Sequence, residues 1–168
     1  MAVLSLLAMG ALITVKNNRR ALLVMHGAIL AGFAVLGGST LAFQQGLISP
    51  IAWMIAGGAG LYLAYTPFNA MLFDRLIAYS GTAATAGFLI YIADASGYLG
   101  SVALLLVRNF AAIDLPWLPF FVGAAHVTSI AGLALVTGAT VVFLRKRPQG
   151  LRPVRQLAPA AEADSAAE

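Results

Sequence analysis

The chain has 168 residues, 61% of them hydrophobic and only 10% charged, with a net charge of +4. A soluble domain carries about 25% charged residues, so this composition excludes an ordinary water-facing surface and makes hydrocarbon the expected solvent. Cysteine is absent, which excludes disulfides, thiol nucleophiles and cysteine-ligated metals, and the positive balance does not point to nucleic acid, because nearly all Lys and Arg stand at the ends of apolar segments or in the tail.

A membrane-spanning helix needs about 20 apolar residues. The first segment, Met1–Val15, is apolar but short, reaching about 22 Å at ~1.5 Å per residue against a hydrocarbon core of roughly 30 Å. It lacks a basic start and a small-x-small cleavage site, so it reads as a spanning helix entered part-way along rather than a cleaved signal. Residues 21–43, 51–73, 82–107 and 115–144 follow as four further spans, the last beginning with an interfacial turn at Pro116 and Pro119. The expected fold is all-α, a polytopic membrane bundle of about five helices over residues 1–147. Residues 148–168 are expected to form a disordered cytoplasmic tail, its basic part lying along anionic headgroups. An odd number of helices and a truncated start imply an incomplete bundle, completed by missing N-terminal helices or by homo-oligomerisation.

Alternate loops divide the charges unequally. Lys16, Arg19, Arg20, Arg75, Arg145, Lys146, Arg147, Arg152 and Arg155 fall on one side, and Arg108 alone on the other. Positive residues favour the cytoplasmic face, which places the N-terminus outside and the C-terminus inside.

The polar residues within the spans carry the functional expectation. Asp94 stands at the midpoint of the otherwise uncharged stretch 82–107, where a carboxylate is costly and usually serves a purpose. Gly87, Tyr91, Gly97, Tyr98 and Ser101 share its helix face by spacing, and small residues at such spacing mark helix contacts in lipid. Asp94 is therefore expected to face protein, either as a protonatable or cation-pairing group on a substrate path or as a structural acid. In the preceding segment Tyr62, Tyr65 and Asn69 share a face, and Pro67 frees a backbone carbonyl near Leu63. Interrupted helices beside polar side chains are a transporter device; plain packing is the competing explanation. His126 reaches a depth comparable with Asp94 and is either a relay partner or a neutral histidine bonded to a nearby backbone. His26 is expected near the interface, and Trp53 and Trp117 at the outer boundary. No nucleophile elbow, metal-spaced histidine pair or phosphate-binding loop is present, so no enzyme, cofactor or metal is implied.

Two stretches, Tyr65-Thr-Pro-Phe-Asn-Ala-Met-Leu-Phe-Asp-Arg75 and Gly87-Phe-Leu-Ile-Tyr-Ile-Ala-Asp-Ala-Ser-Gly-Tyr-Leu-Gly-Ser101, resemble an uncharacterised bacterial family of polytopic membrane proteins, a domain of unknown function. That family in turn looks like the major facilitator superfamily of secondary transporters. The resemblance implies the last five helices of a twelve-helix facilitator in a bacterial inner membrane. It departs from the superfamily at Lys16–Arg20, which lacks the acidic residue of the inter-helix motif. Two functions remain open: the C-terminal part of a carrier for an unknown small molecule, with Asp94 coupling to protons or a cation, or an accessory subunit whose glycine-rich faces dock a membrane partner. The lipid bilayer is the one partner common to both.

Overall fold

A computed structural model of the protein describes residue 10 and residues 15–80, 85–110 and 116–145, apart from the side chains of residues 69 and 70. The described residues are all-helical. Five α-helices follow in order: α1, Asn18–Gln44; α2, Pro50–Pro67; α3, Phe73–Ser80; α4, Ala86–Phe110; and α5, Trp117–Arg145. A π-helical segment, Phe68–Leu72, joins α2 to α3.

Local chemistry sets the helix ends. Asn17 caps α1, its Oδ1 accepting from the backbone N–H of Arg19 at 3.0 Å and of Arg20 at 3.3 Å, so two donors that a helix start leaves without partners are satisfied. At the far end Gly46 adopts φ +71°. The N–H of Leu47 reaches the carbonyl of Ala42 and that of Gly46 reaches Phe43, a Schellman closure that needs a residue tolerant of the left-handed region. Ser49 then caps α2 through Ala52, with Pro50 as its first residue.

The helix crossed at Pro67 does not break. Proline has no N–H to return to the preceding turn, and the chain absorbs the defect as the π segment before resuming α geometry in α3. The expected span 51–73 is therefore part of a longer helical run that changes pitch near its middle.

α1 is the hub. Its buried residues Leu22, Met25, Ile29, Gly32, Leu36 and Thr40 recur every three to four positions and form one stripe. Against this stripe α2 crosses at backbone distance. A Cβ added at Gly32 would lie 2.5 Å from the Gly60 carbonyl oxygen and 2.6 Å from the Ala64 nitrogen, and one added at Gly60 would lie 2.6 Å from the Gly32 carbonyl oxygen. Helices in lipid associate through such close van der Waals packing, because burial from water no longer drives them together. On its other flank α1 receives α5. The buried Ser129 donates from Oγ to the Phe33 carbonyl at 2.8 Å, and Gly132 makes room for the Phe33 ring. Near the outer end Thr40 donates to the Leu36 carbonyl at 2.7 Å and accepts from Trp53 Nε1 at 3.1 Å. Trp53, expected as a boundary anchor, thus turns its indole N–H to a helix neighbour.

α4 differs from the rest: none of its residues is buried. By length and composition α1, α4 and α5 are able to cross a membrane. The count among the described helices is three, where about five were expected. The tyrosines, glycines and terminal prolines of α2 dilute its apolar character, and the short amphipathic α3 carries Asp74 and Arg75. The expected first span falls outside the described residues apart from residues 10 and 15, and the tail at 148–168 lies wholly outside them.

The Gly32–Gly60 crossing predicts an asymmetry between glycines. Gly32→Ala forces the two backbones apart and is expected to lower stability by about 1–3 kcal/mol, as overpacking does. Gly27→Ala, on the same helix with nothing within 4 Å of the added carbon, is expected to be neutral or to stabilise by up to about 1 kcal/mol through helix propensity. Thermal unfolding of the two variants in detergent separates them.

Candidate functional site

The polar residues of α4 meet α2 at one point. Tyr65, near the end of α2, donates from its hydroxyl to Asp94 Oδ1 at 3.4 Å. This is long for an O–H···O bond, whose usual length is about 2.7–2.8 Å, so it positions the two groups without binding them tightly. Around them Ala93, Gly97, Tyr98 and Ser101 complete a hollow of about 260 Å³. Asp94 is half-buried, while Tyr65 and Tyr98 are 56% and 74% exposed. The hollow is open on the side away from α2.

The α4 spacing brings Asp94, Gly97, Tyr98 and Ser101 together as one face of the helix. Ser101 donates to the Gly97 carbonyl at 2.9 Å, which satisfies its hydroxyl proton within the helix and leaves an oxygen lone pair for the hollow. Tyr91, one turn before Asp94, does not line the hollow and is 79% exposed. Gly87 and Gly97 were expected to admit a neighbouring backbone. A Cβ at either position meets nothing within 4 Å, because no described helix packs on that face.

On α2, Tyr65 alone of the three polar residues reaches Asp94. Tyr62 is 52% exposed, and its carbonyl accepts from the Thr66 hydroxyl. This is the backbone–side-chain bond by which threonine accommodates a disturbed helix turn, here one residue before Pro67. Asn69 falls in the π segment, and its side chain lies outside what the structure describes. The π segment follows directly on the Tyr65 turn; such single-turn departures from α geometry occur frequently at functional sites. Nothing in the hydropathy pattern announced it, although Pro67 gave its location.

His126 is not part of this constellation. Its Nε2 lies 2.7 Å from Gln44 Oε1, linking α5 to the last residue of α1. The amide oxygen accepts, so His126 donates from Nε2. The relay between Asp94 and His126 is therefore not assembled in this structure: each has a different partner on a different helix. Among the described residues no three His, Asp or Glu side chains gather closely enough to hold a metal ion.

Two further features escaped the sequence. Arg108, at the end of α4, lies 4.6 Å above the Trp117 ring and 5.6 Å from that of Phe120, a cation–π contact that ties α4 to the start of α5. His26, expected at the interface, points its Nδ1 to the Leu22 carbonyl at 2.7 Å and stacks 6.0 Å from Phe143.

Three bilayer-length helices, a hub crossing made by glycines and a lone acid among aromatic hydroxyls define a helical protein suited to a membrane. The chain belongs to the family of unknown function DUF5690, which matches residues 1–147. No curated protein matches it, and no solved structure does; the facilitator likeness of the two motifs rests on the sequence alone.

The long, half-solvated contact between Tyr65 and Asp94 makes a stability prediction. Tyr65→Phe is expected to change stability by less than about 0.5 kcal/mol, as exposed substitutions do. Ser129→Ala, which removes a buried bond to the hub, is expected to cost about 1 kcal/mol. Equal losses in unfolding measurements would assign the Asp94 cluster a structural role.

Proposed function

We propose that the chain forms part of a facilitator-like secondary carrier in a plasma (inner) membrane, with Asp94 binding and releasing a proton or pairing with a cationic substrate. One observation carries this reading. The acid stands in an open polar hollow with Tyr65, Tyr98 and Ser101, on a helix that buries none of its own residues. A carboxylate fixed for packing would be enclosed by several donors, because an unpaired buried charge is costly. Asp94 has one distant hydroxyl and space beside it, the arrangement a group needs if it is to exchange its partner. The neighbouring π segment after Pro67 supports the same reading, since irregular backbone at membrane depth is tolerated where it borders a cavity or protein.

The unequal distribution of basic residues supports an orientation with the starts of α1 and α3 and the end of α5 at the cytoplasmic face. Helices beyond those described, from the same assembly or from further chain, would close the hollow and supply the second wall of a path, as carriers place substrate between two bundles.

A second reading has its own support. α4 exposes an apolar surface with open glycines at positions 87, 97 and 100, which suits an accessory subunit packing against another membrane protein, with Asp94 setting register.

One substitution separates the two. Asp94→Asn keeps shape and hydrogen-bonding capacity but cannot ionise. The full-length protein is reconstituted into vesicles with an imposed pH gradient and offered a mixture of small polar metabolites, whose uptake is followed by mass spectrometry. The expected outcome is gradient-driven accumulation of at least one solute, falling to the level of protein-free vesicles in Asp94→Asn. Uptake that survives the substitution would overturn the coupling role, and loss of a co-purifying membrane partner without any uptake would favour the subunit.

A further inference from the structure

A second site lies on the opposite flank of the hub and does not depend on Asp94. Leu22 and His26 of α1, Leu72 and Leu76 of the π–α3 run, and Ala139 and Phe143 of α5 enclose a cavity of about 530 Å³. Ligand pockets commonly measure about 300–1,000 Å³, and apolar cavities do not hold ordered water. Its walls are almost wholly aliphatic and aromatic, with one polar handle. Because the Leu22 carbonyl can only accept, His26 carries a proton on Nδ1, so in the neutral ring Nε2 is left as an acceptor.

The same end of the bundle is basic on all three walls. Arg19 lies one turn before Leu22 on α1, Arg75 one turn after Leu72, and Arg145 one turn after Val142 at the end of α5. The three helix ends are brought together physically. Arg75 Nη1 donates to Asn18 Oδ1 at 2.8 Å, joining α3 to the start of α1. The Phe143 ring lies 4.9 Å from that of Tyr79 and 6.0 Å from His26. Next to this junction the Tyr79 hydroxyl is buried with no hydrogen-bond partner, an uncommon condition for a polar group. An apolar chamber below and a ring of guanidinium groups at its mouth are complementary to one kind of molecule: an alkyl chain ending in a negative charge.

We propose that this cavity holds the alkyl chain of an anionic amphiphile, a membrane phospholipid, whose headgroup is met by Arg19, Arg75 and Arg145. Guanidinium groups suit this role because they bind phosphate oxygens in pairs. The chain seals the gap between α3 and α5, which α1 alone does not bridge, so the lipid acts as a wedge that fixes the cytoplasmic end of the bundle.

The test uses the full-length protein in a neutral detergent and follows thermal unfolding and native mass spectra on titration with four probes: phosphatidylglycerol, phosphatidylcholine, a free fatty acid and inorganic phosphate. Saturable stabilisation by phosphatidylglycerol, with none by phosphatidylcholine or phosphate, is the expected result. Arg19→Gln is expected to weaken it about fivefold, the equivalent of roughly 1 kcal/mol per charge near the surface. Ala139→Phe fills the chamber and is expected to abolish the saturable binding while the protein remains folded. Stronger binding of the fatty acid than of phosphatidylglycerol would also support an alkyl-anion site, and would name a free amphiphile as its source. Equal stabilisation by phosphatidylcholine, stabilisation by phosphate alone, or unchanged binding in Ala139→Phe would each overturn the site.

Discussion

The closeness of α1 and α2 at Gly32 and Gly60 governs the architecture. With no side chain at either position, the Gly32 carbonyl and the Gly60 backbone come within a distance that a single methyl group would forbid. Dispersion between two backbones falls off steeply with separation, and in lipid it must stand in for the burial from water that holds soluble helices together. Once α2 occupies that face, α5 takes the next, held by Ser129 on the Phe33 carbonyl and by Gly132 beneath the Phe33 ring. The hub is then filled. α4 meets the others at Tyr65 and Arg108 but buries nothing of its own.

That arrangement separates two chemical environments. On the α4 side an acid and hydroxyl groups border a hollow with room for a changing partner. On the far side three helix ends converge around an apolar chamber under arginines. The first suits a group that exchanges protons or cations; the second suits a permanent amphiphilic ligand. The chain therefore divides its polar residues by task. Those at helix ends meet headgroups, and those at mid-helix are gathered on one face of α4 and the last turn of α2.

The all-helical character and suitability for a bilayer were legible in the sequence because they depend on composition and segment length, which need no partner. The face shared by Asp94, Gly97, Tyr98 and Ser101 was legible for a similar reason: a helix fixes it within one segment. What depends on two segments was not. Gly32 carried no signal separating it from Gly27, since only the position of Gly60 makes one of them indispensable. The pairing of His126 with Gln44 rather than Asp94 follows from α5 packing on α1 and not on α4, which depth along a helix cannot reveal. The π segment arose from Pro67 together with the helix's need to continue, and proline alone predicts a break as readily as a change of pitch.

Whether Asp94 borders water inside the membrane is open to direct measurement, because the chain has no cysteine of its own. Single cysteines at 94, 97 and 101, and at Ile92 and Ala103 on the opposite side of α4, can be challenged in a bilayer with a membrane-impermeant alkylating reagent, which needs a hydrated thiolate to react. Labelling at 94, 97 and 101, with 92 and 103 protected, is the result expected of a path lined by this face. Protection at 94 with labelling no greater than at 92 would show the acid sealed away from water, and the carrier function would be contradicted.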